Sequence, residues 1–236
     1  MRDYTIAVGS ICILVYPMPG IDSNMYIIIE NKTALVIDPN KNNEAIKLLK
    51  EEQVEKVIIL LTHEHFDHIS GVNLFREKFY CIVICQKEAG RALSNPGKNM
   101  AKFWEITLMN KSFDKFAEGM TVRDDNYACV ADEFFDKEKI WKWNGHNIKA
   151  IAAPGHAKGG AMYYFDDLLF TGDNLVNGAG VICRIPGGNW KTYCECTLPL
   201  LEKINEDVMI FPGHGKPDKF VNLKRYLVKF GSELKE

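Results

Sequence analysis

The chain has 236 residues and a mass of 26.8 kDa, with 47% hydrophobic and 25% charged residues, the make-up of a folded globular protein rather than a disordered or collagen-like one. Its 29 basic and 31 acidic residues leave a formal net charge of −2, and no basic block stands out, which argues against nucleic acid as the partner. No apolar run reaches the ~18 residues of a membrane span, and Ile11–Tyr16 has neither the basic flank nor the small-residue cleavage site of a secretion signal. The seven cysteines form no Cys-x-x-Cys pair, so the expectation is reduced thiols in the cytoplasm, buried as small apolar side chains.

In chain order, Ile11–Tyr16 reads as a strand that ends at Pro17-Met18-Pro19-Gly20. Met25–Glu30 and Thr33–Asp38 are two strands joined by the two-residue turn Asn31-Lys32. Asn42 or Asn43 caps a helix with Ala45, Ile46, Leu48 and Leu49 on its apolar face. Val57–Leu61 is a continuous apolar run of the kind found in buried strands. Helices are expected over Lys87–Leu93 and Lys98–Phe116, followed by short strands near Met120–Arg123, Asp132–Phe135 and Lys139–Trp143. Asn144-Gly145 turns the chain into the strand Asn147–Ala153, and Asp166-Asp167 joins Met162–Phe165 to Leu168–Phe170. A helix Thr192–Ile204, a strand Val208–Phe211 and a closing helix Lys219–Lys235 complete the reading. Strands and helices interleave, and the two halves share an order, which favours two helix-covered sheets in one α/β (α+β) domain over residues 1–236.

The densest chemistry lies in Thr62-His63-Glu64-His65-Phe66-Asp67-His68. Three of six histidines fall within six residues. Residues i and i+2 of an extended segment point the same way, so His63 and His65 can share one metal, while Asp67 and His68 can reach a second. Three more strands end alike, in Pro154-Gly155-His156, in Thr171-Gly172-Asp173 and in Pro212-Gly213-His214-Gly215. Each presents a His or Asp at a Gly turn, where rigid scaffolds carry their sites. Five His and two Asp suit zinc, with iron or manganese as alternatives. His146, in the Asn144-Gly145 turn, reads as structural.

These clusters resemble the metallo-β-lactamase-fold superfamily over roughly residues 24 to 215, and its glyoxalase II-like hydrolases in particular. The resemblance implies a four-layer αββα sandwich of two mixed β-sheets flanked by helices, with two zinc ions at one end. It implies that His63, His65 and His156 hold the first metal and Asp67, His68 and His214 the second. Asp173 would bridge them, with Asp38 of Ile37-Asp38-Pro39 supporting the ligands from behind. Asp67 would also assist a proton transfer. The implied reaction is attack of a metal-bridged hydroxide on a thioester or ester of a small molecule, and a homodimer is expected by the same analogy.

Two departures point away from glutathione as the thiol. Only 22 residues follow His214, where glyoxalase II carries a helical glutathione-binding region. Ala157 also stands where that family usually has a small hydroxylated residue. Persulfide dioxygenases with a single iron resemble the sequence too, and nucleases or phosphodiesterases of the same fold form a further alternative. Lys158 and Arg184 are candidate anchors for an anionic substrate group, with Tyr163, Asn174, Lys191 and Tyr193 also near the motifs. The helical insertion at about 87–118, with Phe103, Trp104, Phe113 and Phe116, is a candidate lid or pocket wall.

Overall fold

Left-handed turn residues fix the strand order. Asn31 and Lys32 have φ of 48° and 57°, and Asn144 and Gly145 have 48° and 91°, the geometry that matches the twist of a two-residue hairpin. The computed structural model describes residues 3–227. One sheet contains β1 (Tyr4–Val8), β2 (Ile11–Pro17), β3 (Asn24–Glu30), β4 (Thr33–Ile37), β5 (Lys56–Leu61), β6 (Tyr80–Gln86) and β7 (Glu133–Phe135), in chain order. It is antiparallel from β1 to β4 and parallel from β4 to β7. The other contains β8 (Glu138–Trp143), β9 (His146–Ala152), β10 (Ala161–Phe165), β11 (Leu168–Gly172), β12 (Met209–Pro212) and β13 (Asp218–Lys219). All its pairs are antiparallel except β11–β12.

Alternation along the strands builds the layers. Tyr26, Ile28, Leu35 and Leu60 of the first sheet meet Ile148, Tyr163, Phe165 and Phe170 of the second in the core between the sheets. The intervening Ile27, Val36, Ile59 and Leu61 face outward, against Ile46 and Leu49 of α1 (Asn43–Glu51) and Phe66 and Phe75 of α2 (Phe66–Ile69) and α3 (Val72–Lys78). Asn42 caps α1, its side chain accepting from the Ala45 amide at 2.9 Å. On the far side Met162, Leu169 and Ile210 pack beneath Tyr193, Leu201 and Phe220. The result is the four-layer αββα sandwich of two mixed sheets.

The sequence reading departs from the structure mainly between residues 80 and 131. Strand β6 follows α3 directly, with no Gly or Pro to announce it, and β1 is an edge strand whose residues are only half-buried or exposed. The expected strand at Met120–Arg123 is instead the end of a helix and its turn, with the amides of Val122 and Arg123 donating to the Gly119 and Met120 carbonyls. The two expected helices are shorter pieces, α4 (Lys87–Gly90), α5 (Trp104–Leu108) and α6 (Phe113–Met120). Within the second run Met100 takes a left-handed φ of 69°, and Ser112 caps a new helix at Phe113. Residues 190–201 wind as an α-turn, one turn of π-helix (Tyr193–Thr197) and a further α-turn that contains Pro199. The closing helix is seen as Phe220–Leu223 and a 3-10 turn at Lys224–Tyr226, and its expected remainder from residue 228 lies outside the described residues.

Candidate metal centre

Strands β4, β5, β9, β11 and β12 all deliver their C-terminal ends to one edge of the sandwich. Asp38 follows β4, His63 and His65 follow β5, and Asp67 and His68 lie on the four-residue α2. His156 follows the β9 turn, Asp173 leaves β11 and His214 leaves β12. Two glycines let these ends close up. A Cβ on Gly172 would lie 2.4 Å from the Thr62 hydroxyl oxygen, and one on Gly213 would lie 2.0 Å from a carboxylate oxygen of Asp173.

All seven residues named as ligands from the sequence come together. One ligand atom each from His63, His65 and His156 lie within 4.8 Å of one another, and so do those of Asp67, His68 and His214. Asp173 stands between the two groups. One of its oxygens is 3.4 Å from His68 Nε2, and the other is 3.5 Å from His156 Nε2 and 3.3 Å from His214 Nε2. Asp67 Oδ2 is 3.2 Å from His68 Nε2 and 3.3 Å from His214 Nε2. Asp38, His63 and His68 form a third group of the same size. The Asp38 carboxylate, however, already accepts from the Thr62 amide at 2.7 Å, the Thr62 hydroxyl at 2.5 Å and His68 Nδ1 at 2.9 Å. Three hydrogen bonds already occupy its two oxygens, which makes it a support rather than a ligand. It takes this position with a left-handed φ of 53°, uncommon outside glycine.

Hydrogen bonds behind the rings fix which nitrogen faces inward. The Thr62 hydroxyl gives its one proton to Asp38, so at 3.0 Å it must accept from His63 Nδ1. His68 Nδ1 donates to Asp38, His156 Nδ1 to the Ile182 carbonyl at 2.7 Å and His214 Nδ1 to the Ile21 carbonyl at 3.2 Å. Each of these four histidines therefore turns Nε2 into the cluster. His65 is the exception, with Nδ1 at 3.1 Å from His156 Nε2. Nε2 of His63 and His68 and one oxygen of Asp173 are buried with no hydrogen-bond partner. Buried polar atoms are rarely left so, and a bound cation is the partner this donor set fits.

The electrostatics divide the cluster. Burial pushes His63 well below the usual imidazole range, helped by His68, His65 and His156, and it pushes His65 down to about 3. His156 is lowered mainly by burial too. On the other side burial opposes charge but loses to it. His68 is held well above its ordinary value by Asp67, Asp173 and Asp38, and His214 is raised to about 9 by Asp173 and Asp67. Burial would likewise raise Asp67 and Asp173, yet His68 and His214 hold both well below the carboxylate range. Three neutral imidazoles thus sit beside an ionised His–Asp set, and cations would replace protons in the latter.

Other side chains brace the edge. Ser23 Oγ donates to the Asp67 carbonyl at 3.1 Å, and Asn24 Nδ2 donates to the Pro212 and Gly215 carbonyls at 3.0 and 2.7 Å, fixing the turn that carries His214. Neither residue stood out in the sequence, where two polar residues before a strand look like any loop. Glu64 accepts from the Gly159 amide at 3.2 Å and so ties the His63–His65 segment to the His156 turn. Tyr163 and Tyr193 are buried, their hydroxyls donating to the Leu61 and Asn174 carbonyls, and Lys191 projects into solvent near Glu195. Lys158 is turned to Glu88 at 2.9 Å and does not line the cavity described next, whereas Arg184 does. His146 is structural, bonded to Asp166 at 2.6 Å and stacked on Phe165.

A cavity of about 760 Å³ opens over the cluster, with His65, Asp67, His156, Asp173 and His214 in its floor. The insertion provides one wall through Met100, Phe103, Trp104 and Ile106, and the loop after Asp173 contributes Val176, Ile182 and Ile185. Of the aromatics singled out from the sequence, Phe103 and Trp104 reach the cavity. Phe116 packs against the core and Phe113 is 84% exposed.

Comparison with known proteins agrees with this geometry. A probable metallo-hydrolase of Streptococcus pyogenes is 28% identical over 200 residues, covering 81% of this chain and 78% of its own length. The hydroxyacylglutathione hydrolase GloC of Haemophilus influenzae is 26% identical over 206 residues, covering 85% of this chain and 89% of its own. Among solved structures, the BLEG-1 B3 metallo-β-lactamase superposes with a TM-score of 0.72 at 25% identity, over 94% of this chain and 99% of that one. The family model of the metallo-β-lactamase superfamily matches residues 18–214, most of the sequence and every ligand-type residue of the cluster, and the chain belongs to that superfamily.

Proposed function

We propose that the protein is a two-zinc hydrolase acting on a thioester or ester of a small molecule. His63, His65 and His156 would hold one ion and Asp67, His68 and His214 the other, with the Asp173 carboxylate between the two groups. Two such ions supply Lewis acidity and a water acidic enough to attack near neutral pH. The observation that carries this reading is the pair of inward-turned, buried Nε2 atoms of His63 and His68, which have no hydrogen-bond partner, together with the equally unpartnered oxygen of Asp173 beside them.

The chain's own residues supply the rest. Asp38 and Thr62 hold the rings of His68 and His63 through Nδ1, so that Nε2 of each already faces the cluster. Asp67 engages His68 and His214 through one oxygen, which leaves the other to accept a proton as the substrate is attacked. The apolar walls exclude water around the acyl carbon. A thiolate is the leaving group best suited to a site whose histidines are all taken up by the cluster, because it departs with little protonation.

The test is elemental mass spectrometry on protein purified without added metal, followed by a screen of thioesters, esters, lactones and phosphodiesters. Close to two zinc ions per chain and release of free thiol from an acyl thioester are expected. One iron per chain, with oxygen consumption on a persulfide and no thioester cleavage, would overturn the reading in favour of a dioxygenase.

A further inference from the structure

The cavity extends apolar surface far beyond the cluster. Phe103, Trp104 and Ile106 on one wall and Ile182 and Ile185 on the other form a continuous lining. Ile106 is 64% and Ile182 53% exposed, so this lining runs out to solvent at the mouth, where water would normally select polar residues. Lys111 and Arg184 line the same cavity. Among the described residues neither makes an ion pair, although nearby cations do: Lys115 with Asp22, Arg123 with Glu105 and Asp125, and Lys158 with Glu88. Asp22, a cavity-lining carboxylate outside the cluster, is thus already matched by Lys115. Apolar walls with two uncommitted cations describe a specific kind of guest.

We propose that the substrate is an anionic amphiphile. Its apolar acyl chain lies along Phe103, Ile106 and Ile182, and its thiol or alcohol portion carries a carboxylate or phosphate that meets Lys111 and Arg184. This rests on the hydrolase reading above. In the reaction a water oxygen bonds to the acyl carbon and the C–S or C–O bond breaks with its electron pair on the departing atom. One proton of the water ends on the departing sulfur or oxygen and the other is released to solvent, so the products are a fatty carboxylate and an anionic thiol or alcohol.

Metal-loaded full-length protein would be assayed on acetyl and octanoyl thioesters of three thiols: neutral N-acetylcysteamine, glutathione with its carboxylates, and coenzyme A with its phosphates. The octanoyl esters of an anionic thiol should be preferred by at least about tenfold over both the acetyl and the neutral counterparts, a difference of about 1.4 kcal/mol. The better of the two anionic thiols identifies carboxylate or phosphate. Lys111→Ala combined with Arg184→Ala should lower kcat/KM for the anionic probe about tenfold more than for the neutral one, and added salt should shrink that gap. Ile106→Ser with Ile182→Ser, both at exposed positions, should flatten the chain-length preference. Calorimetric binding of octyl phosphate gives a readout independent of turnover, and it should weaken about tenfold in the double cation variant. Thioester cleavage with no preference for chain length or charge, or with preferences that these variants leave unmoved, would overturn the proposal and leave the hydrolase standing. Variant-sensitive octyl phosphate binding without cleavage of any probe would keep the cavity assignment and sink the hydrolase reading instead.

Discussion

The ligand edge and the insertion above it are built on opposite terms. At the edge, four strand ends and one short helix place seven ligand-type residues, and four of the five rings are held from behind through Nδ1. In the insertion, short helical pieces joined by turns hang on a few anchors, above all Trp104, which is buried and donates to the Gly119 carbonyl at 2.8 Å. Ile106, Met109 and Phe113 of the same stretch are left largely in solvent. Reaction chemistry needs the first kind of construction, because a ligand displaced by an ångström is lost. Choice of substrate tolerates the second, in which walls can vary while the floor does not.

The sharpest way to break this comparison is at the edge. Asp67→Asn keeps the shape of the side chain but removes the anion between His68 and His214. The expected outcome is a folded protein holding about half the metal, with turnover down by about a thousandfold or more, some 4 kcal/mol of barrier. Elemental analysis together with a thiol-release assay checks it. Full metal content at full rate would show that Asp67 is not a ligand and that the edge is less committed than its geometry implies.

In the insertion the large effect should fall on stability instead. Trp104→Ala empties a buried site where the ring meets Phe66 at 5.0 Å, and it leaves the Gly119 carbonyl without its indole donor. Such truncations cost about 3–5 kcal/mol when the whole fold depends on them. Because Phe66 opens α2, which bears Asp67 and His68, the loss should reach the metal centre. Urea unfolding of the loaded protein should therefore shift by most of that amount in one cooperative step. A small shift with intact activity would mean that the insertion unfolds locally and that wall and floor are independent units.

The two regions were also unequally legible in the sequence. Metal ligands are chemically conspicuous, so His63, His65, Asp67 and His68 announce themselves in one heptapeptide, and the Gly turns before His156, Asp173 and His214 mark where strands stop. The alternation in β3 and β4 and the turns at Asn31-Lys32 and Asn144-Gly145 are local signals, and the structure keeps them. What escaped depends on contacts distant in the chain. Asn24 is chosen by the Pro212 and Gly215 carbonyls, some 190 residues away, and nothing near it says so. Residues 98–116 carry helical periodicity, but the left-handed Met100 and the cap at Ser112 break the run into pieces that only packing against the sandwich selects. Lys158 lies two residues after a ligand in sequence, yet the chain turns at residues 155–159 and its side chain pairs with Glu88 instead of entering the cavity.

The smallest of these effects separates a ligand from its support. Asp38 takes no part in the proposed coordination, and its carboxylate holds the Thr62 amide and hydroxyl and His68 Nδ1. Asp38→Asn keeps a residue that tolerates the left-handed φ while removing the charge that makes the imidazole of His68 a stronger donor to a cation. The amide can still accept from two of the three donors, so the fold should hold. The affinity of the Asp67, His68 and His214 set should drop by about 10–100-fold, with the His63, His65 and His156 set less affected, since only His63 touches Asp38 and then through Thr62. Competition with a chelator, followed by metal analysis, resolves the two sets. Equal weakening of both would mean that Asp38 acts by holding β4 against β5 rather than by polarising one ring, and the tautomer argument for His68 would then lose its functional weight.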